Sequence, residues 1–234
     1  MKRALVLSGG GSKGAFEVGA ITYLLTQLKL DFHLLAGTSV GALNAAYLGQ
    51  ARSQSELQEL GEELKETWLG IKGSRVIYRG GMLGNLWRVL FRGALYDPVG
   101  LRELIHQRID QERLFHRRTV VKIAVVSFET GNLLYVDSRR PEFRQDFLAY
   151  VLASASMPFF FPPVSIGGEH WYDGGLRDLT PLGTVIKEYP DEIVVITTFP
   201  LNSKLEAILP PAVTGSVLKA ALRTLEILLN EISA

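Results

Sequence analysis

Ala4-Leu5-Val6-Leu7-Ser8-Gly9-Gly10-Gly11-Ser12-Lys13-Gly14, near the start of the chain, decides how the rest is read. Its first four residues form a short, unbroken apolar run halted by glycines, the pattern of a strand buried on both faces and so of a central parallel strand. From Ala15 to Leu30 the residues Phe16, Ala20, Tyr23, Leu24 and Leu28 fall at helical spacing and predict a helix; Phe32 to Ala36 then gives a second buried strand. The unit is strand, glycine loop, helix, strand. It continues through Gly37-Thr38-Ser39-Val40-Gly41 into an Ala- and Leu-rich helix from Ser39 to Gly49.

Outward from this unit the alternation persists. Ser55 to Trp68 reads as a charged amphipathic helix, Gly70 to Gly81 as irregular chain and Pro98 to Ile109 as a helix. Val120 to Ser127 is a β-branched strand, which Leu133 to Val136 joins across the turn Thr130-Gly131-Asn132. Phe147 to Ala155 is helical; Pro158, Pro162 and Pro163 forbid a long helix beyond it. Ile193 to Thr197 is a last buried strand and Val213 to Ile232 a long helix. Strands alternating with helices predict a three-layer α/β/α sandwich with a mostly parallel central sheet. With 234 residues, 47% of them hydrophobic, the chain can bury one sizeable core, so a single domain over residues 1–234 is expected.

Composition narrows the function. A net charge of +1 supplies no long-range field for nucleic acid, which is not expected as a partner. Cysteine is absent, which removes disulfides, thiol nucleophiles and thiolate metal sites and fits a reducing compartment. The apolar run at Ala4 to Leu7 is too short for a signal-peptide core, and no uninterrupted apolar run reaches membrane-spanning length. A cytoplasmic protein that at most lies on a membrane is the expectation.

Gly37-Thr38-Ser39-Val40-Gly41 matches the nucleophile elbow, in which Gly37 and Gly41 let a strained turn hold the serine exposed at the carboxyl end of a sheet. Taken alone, the pentapeptide also fits an ordinary helix-capping turn. Gly9, Gly10, Gly11 and Gly14 admit two readings. As Gly-x-Gly-x-x-Gly after a strand they fit a dinucleotide fingerprint, with Asp31 as the ribose ligand. They also fit an oxyanion loop, whose N–H groups at a helix N-terminus face developing negative charge. The second strand favours the oxyanion reading because it runs into the elbow serine. Asp173, in Tyr172-Asp173-Gly174-Gly175, is the candidate base. The histidines are His33, His106, His116 and His170, and only His170 could close a triad with an earlier acid; its setting between Glu169 and Trp171 suits an exposed or packing role. A carboxylate serves instead only if held against the hydroxyl with its pKa tuned by burial. Modest turnover would suit so weak a base.

These three motifs, in this order, resemble the patatin-like phospholipases. The resemblance spans residues 1 to about 200, with Ala153 to Pro158 and Phe161 to Val164 similar to the family's proline-bearing segment. It implies a patatin-like fold and a calcium-independent lipid acyl hydrolase needing no cofactor or metal. Ser39 would be the nucleophile, Asp173 the base, the Gly10 and Gly11 N–H groups the oxyanion donors, and Lys13 the loop's basic residue. Asp178 departs from the Asn that many members carry after the Asp-Gly-Gly turn, and the chain is short for the family.

Met82 to Leu95, plotted as a helix, gathers Leu83, Leu86, Trp87, Leu90, Phe91 and Ala94 opposite Asn85, Arg88 and Arg92. Such a basic amphipathic helix fits either a peripheral membrane anchor or a helix packed on the core. Phe159-Phe160-Phe161 fits an acyl pocket or a core aromatic cluster. Three functions stay open: a serine lipid hydrolase acting on acyl esters, an acyltransferase using the same site, and a non-catalytic dinucleotide or acyl-lipid binder. Head group, chain length and oligomeric state are not encoded in any of these motifs.

Overall fold

The computed structural model describes residues 1–71, 73, 94–116 and 118–199. The expected helix from Val213 to Ile232, and residues 82–93 of the expected amphipathic helix with Trp87, lie outside the described residues. The last two residues of that stretch, Ala94 and Leu95, are described and are not helical. Ala94 bridges Phe159, and Leu95 N–H donates to Phe159 O at 2.8 Å.

Four parallel strands form the centre of the sheet. They are β1 (Arg3–Leu7), β2 (Leu34–Gly37), β3 (Val120–Ser127) and β7 (Glu192–Ile196), in the order β3-β2-β1-β7. β1 and β2 contain no polar residue on either face after Arg3, and both are buried, as their unbroken apolar runs require. β4 (Leu133–Asp137), β5 (Val164–Ile166) and β6 (Glu169–Asp173) add antiparallel partners. One face of the sheet, through Leu5, Leu7, Leu35, Ile123 and Val125, packs on α1 (Gly14–Thr26), α2 (Val40–Leu48), α3 (Gln54–Leu69) and α5 (Phe147–Ser154). α4 (Val99–Arg108) adds Leu101 and Ile105 to this layer. On the other face Ala4, Val6, Leu34 and Ala36 meet Val185 of α6 (Leu182–Ile186). These are the three layers of the α/β/α sandwich.

The register of β3 fixes where the site forms. Ile123 pairs with Val136 of β4 and Gly37 of β2, so those two strands lie along opposite edges of β3. Val125 pairs with Leu134 of β4 and Asp173 of β6, so β6 shares the edge that β2 occupies lower down. β2 runs parallel to β3 and β6 antiparallel to it. Their carboxyl ends therefore meet head to head on one edge of β3, at Gly37 and Asp173.

Three elements differ from the sequence reading. α1 is placed as expected but turned: its buried residues are Gly14, Glu17, Val18, Ile21, Thr22 and Leu25, while Phe16, Tyr23 and Leu28 are exposed. Apolar residues lie around most of this helix, so their spacing leaves its phase undetermined, and the face that packs on α3 and the sheet carries a carboxyl group. The β5–β6 hairpin was not anticipated; its arms are short and turn through Gly167 and Gly168, both in left-handed conformation (φ 61° and 85°). Nor was α6, a helix of only five residues.

Candidate active site

Ser39 occupies the turn between β2 and α2 with φ 57° and ψ −123°. A non-glycine residue in this conformation is strained and persists only where its surroundings hold it. The neighbours show why the flanking residues are glycine. A Cβ on Gly37 would lie 2.2 Å from Gly41 O, and one on Gly41 would lie 2.4 Å from Leu7 O. Two side chains brace the turn: Ser39 N–H donates to Ser154 Oγ of α5 at 3.0 Å, and Thr38 Oγ1 donates to Asp178 O at 3.0 Å.

Asp173 ends β6 and is completely buried. Opposite Val125, it projects into the layer of α2 and α5, on the side where β2 delivers Ser39. Its Oδ1 accepts the Gly175 N–H at 2.8 Å, whereas Oδ2 accepts no hydrogen bond of regular geometry among the described residues. Burial pushes the carboxyl up to about 7, against the opposing pull of the Ser39 hydroxyl and the Gly175 N–H. A carboxyl so placed exchanges its proton near neutral pH.

The glycine loop lies beside the elbow, since a Cβ on Gly9 would come within 3.2 Å of Ser39 Cβ. Its four glycines divide by hydrogen bonding. Gly9 N–H donates to Leu179 O at 2.9 Å, and Gly14 N–H donates back to the carbonyls of Gly11 and Ser12. The N–H groups of these two loop glycines are therefore engaged within the protein. Gly10 and Gly11 donate to no acceptor among the described residues, and Gly11 holds a left-handed φ of 57°. Lys13 is exposed at the end of the 3-10 turn Gly11–Lys13.

Two supports of this loop left no trace in the sequence motifs. Thr198, just past β7, donates from N–H to Ser8 Oγ at 2.9 Å and from its hydroxyl to Gly9 O. Beneath the loop, Glu17 Oε2 accepts from Asn44 Nδ2 at 3.0 Å, and Asn44 Oδ1 accepts from Trp68 Nε1 at 3.1 Å. The Trp68 ring packs against Gly14, where a Cβ would lie 2.8 Å away. Glu17 is fully buried, and burial raises its carboxyl to about 8 despite the Asn44 hydrogen bond. An acid inside an apolar-looking helix is legible only once the helix has partners.

None of the four histidines hydrogen-bonds to Ser39 or Asp173. His170 sits on β6 with its exposed ring on Glu129 at 2.7 Å, which removes it as the base. Asp31 precedes β2 and is paired with Arg118 at 2.7 Å, so the acid needed for a dinucleotide ribose is engaged elsewhere. No group of His, Asp and Glu residues suited to a metal ion occurs among the described residues. Among them, too, no helix is long and apolar enough to cross a membrane.

An apolar cavity of about 350 Å3 is lined by Val126, Phe128, Pro158, Phe159, Tyr172 and Leu176, with Ser127 and Gly131 completing it. Phe159 holds a left-handed φ of 68°, strained for a bulky side chain. Leu95 N–H on its carbonyl and Tyr96 N–H on Phe160 O, both at 2.8 Å, fix it there. Phe160 does not line the cavity; it stacks on Tyr96, with ring centroids 6.4 Å apart.

Fold and site together define an α/β protein whose strained serine turn, glycine loop and buried aspartate meet at the end of the sheet. Residues 5–186 match the family described as patatin-like phospholipase, and the chain belongs to that family. It is similar to a cGAMP-activated phospholipase of Escherichia coli (strain TW11681), 28% identical over 214 residues covering 84% of this chain and 56% of that protein. A protein of the same description from Vibrio cholerae is 26% identical over 74% of this chain and 54% of its own length. Among solved structures, VipD from Legionella pneumophila matches at 16% identity with a TM-score of 0.41, covering 74% of this chain and 46% of that one. The chain thus spans about half the length of these relatives.

Proposed function

We propose that the chain is a serine lipid acyl hydrolase working through a Ser39–Asp173 dyad. The observation that carries this reading is the meeting of a strained serine and a buried, otherwise under-bonded carboxylate where β2 and β6 end on one edge of β3. Ser39 Oγ attacks the ester carbonyl carbon while its proton passes to Asp173 Oδ2, the oxygen with no other partner among the described residues. The carbonyl oxygen becomes an oxyanion held by the N–H groups of Gly10 and Gly11. Collapse of this intermediate expels the alcohol, which takes the proton from Asp173 and leaves an acyl group on Ser39. Asp173 then accepts a proton from water, whose oxygen attacks the acyl carbon, and returns it to Ser39 as the fatty acid departs.

The cavity suits the acyl chain. Tyr172 and Leu176, which bracket the Asp173 turn, belong to its wall, and its volume is at the small end of the roughly 300–1,000 Å3 of ligand pockets, enough for one chain. Phe159 lines this cavity and would meet the acyl chain there, whereas Phe160, stacked on Tyr96, would not. The sequence pattern supports contact with a membrane surface through Met82 to Leu95 and a cytoplasmic location.

Hydrolysis of a soluble p-nitrophenyl ester and of phospholipid vesicles tests the reading. Ser39→Ala and Asp173→Asn should each abolish both activities while the melting temperature holds, because two groups acting as one unit fail together. Substantial activity in Asp173→Asn would remove the dyad. Transfer of the acyl group to an added alcohol in preference to water would make the same site an acyltransferase.

A further inference from the structure

Asp178, the residue at which the sequence departs from its family, sits at the middle of a strap that touches every part of the proposed machinery. Residues 174–180 follow Asp173 and turn tightly: the N–H groups of Arg177 and Asp178 both donate to Gly174 O at 2.9 Å. From this turn one bond reaches each neighbour. Gly175 N–H holds Asp173 Oδ1 at 2.8 Å. Asp178 O receives the hydroxyl of Thr38, the residue before the nucleophile, at 3.0 Å. Leu179 O receives Gly9 N–H at 2.9 Å, and the Leu179 side chain packs between Gly9 and Gly175. Base, elbow and glycine loop thus all hang on one short segment.

A side-chain hydrogen bond ties the strap to the sheet from the far side. Tyr135 OH donates to Asp178 Oδ2. Tyr135 belongs to β4, on the opposite edge of β3 from Ser39, and is paired with Ala124. Its ring crosses β3 at that small residue, where Gly174 also approaches so closely that a Cβ there would lie 2.4 Å from Ala124 O. Ala124, Gly174 and Tyr135 together make the passage by which β4 reaches the strap.

We propose that Asp178 and Tyr135 are positioning residues: their hydrogen bond sets the strap, and through it the mutual placement of Asp173, Ser39 and the Gly10–Gly11 donors. The proposal rests on the hydrolase reading. A misplaced strap displaces reacting groups without removing any, so it lowers turnover more than substrate binding.

The experiment compares wild type with Tyr135→Phe, Asp178→Ala, Asp178→Asn and the double variant Tyr135→Phe/Asp178→Ala on a soluble p-nitrophenyl ester. Tyr135→Phe and Asp178→Ala should each lower kcat by about tenfold with KM little changed. The double variant should be no worse than either single one, since both remove the same bond. Asp178→Asn, whose amide oxygen still accepts from Tyr135, should recover most of the loss. Amide exchange gives a second readout that needs no activity: in Tyr135→Phe the segments around Gly9, Ser39 and 174–180 should exchange faster, while α3 stays protected. Should Asp178→Ala fail to fold, Tyr135→Phe, which deletes one oxygen, still decides. Unchanged kcat and unchanged exchange in Tyr135→Phe would overturn the strap; an inactive wild type whose exchange responds as expected would overturn the hydrolase reading and keep the strap.

Discussion

Two buried carboxyl groups, Asp173 and Glu17, set opposite demands on pH. Asp173 is held up to about 7 by burial; as the proposed base it must lose its proton to act, so kcat/KM for a soluble ester should climb through about pH 7 and level off above it. Stability should run the other way. A carboxyl raised in the fold binds its proton more tightly there than in the unfolded chain. The stability it adds is complete below its ordinary value, 3.8 for Asp173 and 4.5 for Glu17, and is lost as pH rises through about 7 and about 8. Glu188, lowered to about 2 chiefly by Arg139, opposes this slope only near its ordinary value of 4.5, where the unfolded chain still binds its proton, and adds none toward pH 7. The melting temperature of the wild type should therefore fall between pH 4.5 and 8, and Glu17→Gln should flatten the fall by a share on the order of a few kcal/mol. Differential scanning calorimetry across that range checks it; parallel curves for wild type and variant would show that Glu17 keeps no proton in the fold.

The glycines of the loop and elbow differ in the quantities they act on. Gly41→Ala drives a methyl group into the Leu7 carbonyl, a backbone atom that cannot step aside, and should cost about 3 kcal/mol in a urea melt. Gly10→Ala would place its methyl group 2.7 Å from Thr198 Cβ, an atom that no rotamer change moves, so stability should fall here too, while the displaced N–H also lowers turnover about a hundredfold. Steady-state kinetics beside the melt separates the two effects. Both motifs were legible in the sequence because glycine is demanded by local geometry, and an elbow between a buried strand and a helix announces itself. The same holds for Asp173, flagged by its Gly-Gly turn. What stayed hidden depends on partners: the rotation of α1, with Phe16 outside and Glu17 inside, is decided by what packs on it. Thr198, Tyr135 and Trp68 reach the site from β7, β4 and α3, and no local spacing connects them to it.

At the scale of the molecule, the decisive feature is that β2 and β6 share one edge of β3. Neither strand pairs with the other in a backbone ladder; each reaches the site through its own pairing with β3. The reactive centre is therefore absent from any partly assembled chain in which only one of these pairings has formed. Pairings between segments far apart along the chain carry a large loop-closure cost and form slowly, and chains of this size populate intermediates. On refolding from urea, helical signal should return first, while the capacity of Ser39 to react with a fluorophosphonate should return only with the slowest phase. Simultaneous return of both signals would mean the two pairings on β3 form early. The nucleophile thus doubles as a clock for the last step of assembly, and a cell holding a half-folded copy would hold an unarmed one.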